Sequence, residues 1–154
     1  MNGARRFSRN GKFYFHHCGV SGYSQYTIAL PGSLVKIDST LPFELATLFG
    51  CAVTTGTGAA MNTANIRPGQ SVAVFGLGGV GLAALIGAKA CNAGQIIAVD
   101  LLDSKLEMAS NLGATHTVNA KDTNPVEVIQ DLTHGGVEIA IESVGNATVL
   151  AQAY

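Results

Sequence analysis

Charge is scarce in this 154-residue chain: 12% of its residues are charged, and nine basic against ten acidic side chains leave a net charge of −1. A balance so near neutrality supplies no electrostatic drive towards nucleic acid or an anionic membrane. The basic residues near the start, Arg5, Arg6, Arg9 and Lys12, read as a solvated loop. Cysteine is scarce too. Cys18, Cys51 and Cys91 cannot all pair and show no C-x-x-C spacing, which argues against a disulfide framework and for a reducing, cytoplasmic setting. The N-terminus is polar and basic without an apolar core, so no secretory signal is expected. Two uncharged stretches, residues 45–66 (22 residues) and 71–88 (18 residues), are long enough to cross a bilayer on length alone. The first carries Thr47, Thr54, Thr55, Thr57, Asn62, Thr63 and Asn65, which are costly in hydrocarbon. The second is interrupted by a cluster of glycines and reads better as strand, turn and helix. No membrane span is expected.

What the chain does have is apolar material, 47% of its residues, and nineteen glycines. That is too much glycine for a helical bundle and too aperiodic for collagen, so it points to tight turns or to backbone approaching something closely. Residues 1–22 read as loop with one short strand at 13–15. Strands are expected at 23–30, ended by Pro31-Gly32, and at 34–37. Ser39-Thr40 and Pro42 supply an N-cap and an early-helix proline for a helix over 42–49. A further helix is expected from Val53 or Thr54 to Ala64.

From residue 72 short apolar runs alternate regularly with helices. Strands are expected at 72–75, 96–100, 115–119 and 137–142, and helices at 79–91, 104–112 and 125–132, with another beginning at Ala147. Gly113 suits the C′ position of the second of these helices. Such alternation implies parallel pairing through right-handed crossovers, and runs such as Val72-Ala73-Val74-Phe75 suit strands covered on both faces. The fold class is α/β, a doubly wound parallel sheet.

The first of these units carries Gly76-Leu77-Gly78-Gly79-Val80-Gly81, a G-x-G-x-x-G turn directly between strand and helix. Gly76 is free to take positive φ, Gly78 lets backbone approach a pyrophosphate, and Gly81 lets the helix pack on the strand. The helix N-terminus offers unpaired N–H groups to phosphate. Asp100 lies 19 residues after Gly81 at the end of the next strand, where an acid accepts from an adenosine ribose. A carboxylate there repels a 2′-phosphate, so NAD is favoured over NADP. Lys105 is read either as a further ribose contact or as a solvated helix-face lysine.

With these residues in place, the chain resembles the zinc-dependent, medium-chain alcohol dehydrogenases over nearly its whole length. The likeness runs through Phe49-Gly50-Cys51-Ala52-Val53-Thr54-Thr55-Gly56, the glycine turn, Asp100, Leu112-Gly113-Ala114-Thr115, Gly135-Gly136-Val137 and Glu142-Ser143-Val144-Gly145. The resemblance implies a Rossmann-type NAD-binding domain at 51–154, preceded at 1–50 by a remnant of a GroES-like catalytic domain and a linker. It makes Cys51 a ligand of a catalytic zinc and Thr55 a catalytic residue beside the nicotinamide. It assigns cofactor contacts to Gly76, Gly78, Gly79, Val80, Gly81, Asp100, Lys105, Ser143 and Val144. The implied reaction is hydride transfer between an alcohol and NAD⁺, with zinc as the Lewis acid that lowers the alcohol's pKa. Its partners are a small alcohol or aldehyde, with neither nucleic acid nor membrane, in a homo-oligomeric parent.

The departures from that family are as informative. Its remaining zinc ligands, a cysteine and a histidine, come from an upstream domain that this sequence does not contain, and its later strands are missing too. The implied chain is a piece of a longer enzyme, inactive alone. His16-His17-Cys18 offers zinc-like ligands, but adjacent residues of an extended segment point to opposite sides, so they are not expected to share an ion. Cys91 reads as a small core residue, and His116 and His134 as solvent-facing or strand-end residues for which the sequence suggests no partner. Two further readings stand beside the enzyme: a non-catalytic dinucleotide-binding module, and a truncated product whose last strand is an unprotected edge prone to self-association.

Overall fold

The computed structural model describes residues 5, 7–15 and 22–154. The cluster at residues 16–18 therefore lies outside the described residues. The chain divides into two units, residues 1–40 and 41–154.

In the first unit, β1 (Phe7–Arg9) and β2 (Lys12–Tyr14) form an antiparallel hairpin with Arg9 opposite Lys12. Asn10 and Gly11 both take positive φ, 50° and 73°, as a two-residue turn matched to strand twist requires. The single strand expected at 13–15 is thus the second arm of a hairpin. The strands expected at 23–30 and 34–37 do not form. Those residues are almost all exposed, and no strand runs beside them among the described residues to take their backbone bonds. Ser24 Oγ instead donates to the Tyr26 carbonyl at 2.7 Å, and Pro31–Ser33 make a single 3₁₀ turn.

The second unit opens with α1 (Phe43–Phe49), whose N-cap is Pro42. Ser39 and Thr40 do not cap it, because the Thr40 N–H and hydroxyl are turned back onto Asp38 Oδ1 at 2.8 and 2.6 Å. The helix α2 (Ala52–Gly58) runs on into a π-helical turn, Ala59–Thr63, closed by Ala64 N donating to the Ala59 carbonyl at 2.8 Å. Asn65 then takes φ 51° and ends it.

The βα alternation follows, with boundaries within two residues of expectation. It comprises β3 (Ser71–Phe75), α3 (Gly79–Ala90), β4 (Gln95–Asp100), α4 (Asp103–Leu112), β5 (His116–Asn119), α5 (Pro125–Thr133), β6 (Ile139–Glu142) and α6 (Ala147–Ala153). The four strands are parallel in the order β5-β4-β3-β6. Each strand presents alternate residues to opposite faces. Val72, Val74, Ile96 and Ala98 pack with Leu85 and Ala88 of α3 and with Leu106 and Ala109 of α4. Ala73, Phe75, Ile97 and Val99 pack with Ile129 of α5 on the other face, beside Val149 and Ala153 of α6. Helices on both faces make this the expected doubly wound, Rossmann-type sheet. Full burial of each Val, Leu, Ile or Phe side chain among them contributes roughly 1.5–3 kcal/mol, so the two layers dominate the unit's stability.

Helix starts follow local chemistry. Asn124 accepts from Val126 N at 3.1 Å ahead of Pro125, and Asn146 accepts from Thr148 N at 2.8 Å. Gly113, at φ 118°, ends α4 as expected. Among the described residues, no helix is long and apolar enough to cross a membrane. The two uncharged stretches are a pair of short helices and a strand–turn–helix.

Candidate cofactor cleft

The first two strands of the alternation, β3 and β4, lead into helices on one face of the sheet, and the chain then passes to β6 on the other side of β3. That reversal of direction opens a crevice at the carboxyl ends of the strands, between β3 and β6. A cleft of about 670 Å³ lies there. Its wall includes Gly76, Leu77 and Gly78 of the turn after β3, Asp100 to Leu102 after β4, and Ser143 and Val144 after β6.

The turn has the geometry the glycines were expected to give. Gly76 takes φ 86°, and a Cβ on it would lie 2.6 Å from Val144 Cγ2 and 3.2 Å from Ser143 Oγ. A Cβ on Gly81 would overlap the Gly76 carbonyl oxygen and stand 2.8 Å from Ser143 Oγ, so only glycine lets α3 start this close to the end of β3. Gly78 differs. A Cβ there meets nothing within 4 Å, so the turn is open towards the cleft at that residue. The N–H groups of Gly78, Gly79 and Val80 find no acceptor among the described residues. They are the unpaired donors of a helix start, with open space beside Gly78.

Asp100 closes the β4 side. Its Oδ2 accepts from Leu77 N at 2.7 Å and pairs with Lys105 Nζ at 3.5 Å; its Oδ1 accepts from Leu101 N at 2.8 Å and Leu102 N at 3.2 Å. Burial pushes this carboxyl up, but the Leu77, Leu101 and Leu102 N–H groups and the Lys105 ammonium together hold it below the usual carboxylate value. It is therefore an anion at neutral pH, fixed in place by the turn it faces. On the β6 side, Ser143 N donates to the Phe75 carbonyl at 2.9 Å, and its hydroxyl lies 2.8 Å from the Gly76 carbonyl oxygen. Glu142 Oε1 accepts from Val144 N at 2.7 Å and Gly145 N at 2.8 Å, which shapes the chain where it leaves the strand.

The structure thus brings together Gly76, Gly78, Asp100, Lys105, Ser143 and Val144 on one cleft, with Gly79, Val80 and Gly81 continuing the turn into α3. Cys51 and Thr55 are not among the residues lining it. Cys51 is an exposed free thiol at the start of α2, and its carbonyl accepts the Thr55 N–H at 2.9 Å. Ala52, the residue after Cys51, does reach the turn: a Cβ on Gly79 would lie 3.2 Å from its Cβ. Among the described residues, no group of three His, Cys, Asp or Glu side chains is close enough to hold a metal ion. Cys51 alone does not fit a zinc site.

Sequence reasoning missed Leu101, Leu102, Ala120 and the α6 residues Thr148, Val149 and Gln152, all of which line the cleft. Leu101 and Leu102 carried a signal, two adjacent apolar residues after a strand end, and both are more than half exposed. Ala120 could have been found as the residue just past β5.

Residues 79–154 match the family described as zinc-binding dehydrogenase. The chain is 46% identical over 154 residues to an S-(hydroxymethyl)glutathione dehydrogenase of Synechocystis, covering 99% of this chain and 42% of that protein. It thus spans less than half the length of this curated relative. Among solved structures, an alcohol dehydrogenase zinc-binding domain protein from Burkholderia ambifaria superposes with a TM-score of 0.82 at 40% identity, over 88% of this chain and 36% of that one. Benzyl alcohol dehydrogenase from Acinetobacter calcoaceticus gives 0.82 at 42% identity, over 87% and 37%.

Proposed function

We propose, on the premise that residues 79–154 belong to the zinc-binding dehydrogenase family, that the cleft binds NAD(H) and that the chain is the cofactor-holding part of an alcohol dehydrogenase. The observation that carries this reading is the free N–H of Gly78 and an anionic Asp100 on one cleft, with the free N–H groups of Gly79 and Val80 following where the turn enters α3. The N–H groups suit a pyrophosphate, and the carboxylate suits a ribose diol. Asp100 also opposes a 2′-phosphate, which favours NAD over NADP. Lys105, already paired with Asp100, stands where it can join the ribose contact. Val144 and Val149 give the β6 side an apolar lining suited to the nicotinamide half. When bound, the nicotinamide supplies the hydride acceptor or donor; the chain's own residues hold and orient it.

The proposed reaction of the whole protein is interconversion of a small alcohol and its aldehyde or ketone, in a homo-oligomer acting on neither nucleic acid nor membrane. Free thiols at Cys51 and Cys91 support a cytoplasmic setting. Zinc chemistry is proposed only for the whole protein, with Cys51 as one ligand and Thr55 beside the nicotinamide. No step through zinc is derived from the residues described. The isolation of Cys51 favours a second reading for this chain by itself, a dinucleotide-binding module without turnover.

Fluorescence titration with NADH and, in parallel, NADPH tests the proposal. Saturable NADH binding with much weaker NADPH binding is expected. A folded chain that binds neither refutes it.

A further inference from the structure

The Gly76 carbonyl stands at the point where β3 breaks into the turn, and its oxygen receives no backbone N–H among the described residues. The Ser143 hydroxyl lies 2.8 Å from it. That hydroxyl is also 3.1 Å from the Phe75 carbonyl, but this oxygen already accepts the Ser143 N–H at 2.9 Å. A serine hydroxyl has one proton to donate. It serves the shorter contact, to the oxygen that has no backbone donor. Gly81 packs against the same pair of atoms and leaves no space for a side chain beside them. Asp100 grips the other end of the same peptide group from the β4 side, through Leu77 N. The single 76–77 peptide is therefore held at both ends, its carbonyl by Ser143 just past β6 and its N–H by Asp100 at the end of β4.

We propose that Ser143 is a positioning residue: its hydroxyl fixes the Gly76 peptide, and through it the aim of the N–H groups of Gly78, Gly79 and Val80. This rests on the reading of the turn as a phosphate cradle. The hydroxyl is spent on the protein and does not itself contact the cofactor.

The test uses the purified chain and its S143A and S143T variants. Amide hydrogen exchange is followed by NMR, with NADH affinity measured on the same samples. The Leu77 amide reports the turn, and the Val74 amide, inside β3, reports the fold. In S143A the Leu77 amide is expected to exchange roughly threefold to tenfold faster with Val74 unchanged, and NADH is expected to bind weaker by a similar factor. S143T keeps a hydroxyl donor and is expected to restore both. If S143A disturbs Val74 as well, S143C keeps the side chain's shape with a weak donor and must show the same selective loosening. An unchanged Leu77 rate in S143A overturns the proposal. So does a loss of NADH affinity with the turn unaltered, which makes Ser143 a direct cofactor contact. Loosening of the turn in a protein that binds NADH in no variant, wild type included, supports the clamp and refutes only the cofactor reading.

Discussion

Two glycines in α2, two residues apart, are predicted to respond to the same substitution with opposite signs. Gly58 has helical backbone angles, φ −64° and ψ −37°, and a Cβ on it would meet only Asn62 Nδ2, at 4.0 Å. G58A therefore gains the helix preference of alanine over glycine, about 0.8–1 kcal/mol. Gly56 is buried at the crossing of α2 and α3. A Cβ there would run into the Val80 carbonyl oxygen and lie 2.6 Å from Ala83 Cβ and 2.7 Å from Ala84 N. Two of these three atoms are backbone and cannot rotate aside, so α2 must back away from α3. Overpacking of this kind costs about 1–3 kcal/mol, and the backbone contacts put G56A at the upper end. After the same gain in helix preference, G56A is destabilised by about 2 kcal/mol. For a chain of this length, each kcal/mol moves Tm by about 2–4 °C. Thermal unfolding followed by circular dichroism should raise Tm by about 2–4 °C in G58A and lower it by about 4–8 °C in G56A. A G56A protein as stable as the wild type would refute the close α2–α3 crossing. With it would go the approach of Ala52 to the turn at Gly79, since the same helix carries it.

The glycines of the turn should separate stability from binding. G78A places its Cβ in open space and is expected to leave Tm unchanged while NADH affinity falls at least about tenfold, because a new methyl intrudes where the phosphates need backbone; unchanged affinity by fluorescence titration counts against the cradle. G81A is expected to lose both, by about 3 kcal/mol in urea unfolding, because its Cβ overlaps the Gly76 carbonyl. Asp100 is held below its ordinary 3.8, so it stabilises the fold above that value and this contribution is lost as pH falls through the lowered one. Urea midpoints measured between about pH 5 and pH 2 should therefore fall less steeply in D100N than in the wild type, and equal slopes would contradict the clamp on Leu77. D100N should also weaken NADH by about tenfold and narrow its advantage over NADPH. Finally, N146A removes the acceptor for Thr148 N and Val149 N, and should cost about 1 kcal/mol in the same urea assay.

The βα part of the fold was legible because it repeats one rule. A continuous apolar run such as Ile96-Ile97-Ala98-Val99 has no polar face, so it must be covered on both sides, and helices of about ten residues between such runs leave parallel pairing as the outcome. The first forty residues follow no such rule. The strand expected at 23–30 rested on weak alternation ended by Pro31-Gly32, and that at 34–37 on a short apolar run; neither signal can supply a partner strand. The pairing found there among the described residues was signalled instead by Asn10-Gly11, the dipeptide whose two residues both accept positive φ. The π-helical turn at Ala59–Thr63 could not be read from composition, since its residues differ little from those of an ordinary helix end.

At the site, spacing along the chain identified which residues meet but not what each one holds. Parallel strands end on one side of the sheet, so Gly76, Asp100 and Ser143 converge however far apart they lie in sequence. That convergence was readable once the alternation was recognised. The hydrogen bonds were not, because they depend on the direction of single peptide groups inside the turn. Asp100 was expected to wait for a ribose; instead its two oxygens hold four protein donors, at Leu77, Leu101, Leu102 and Lys105. A carboxylate offers about four acceptor positions, so a ribose hydroxyl must displace or share one of these contacts. On the proposed NAD(H) reading, the contact expected to yield is the longest, the 3.5 Å pair with Lys105, whose side chain is 39% exposed. The bond to Leu77 is then expected to survive cofactor binding, with Asp100 serving the turn and the ribose at once.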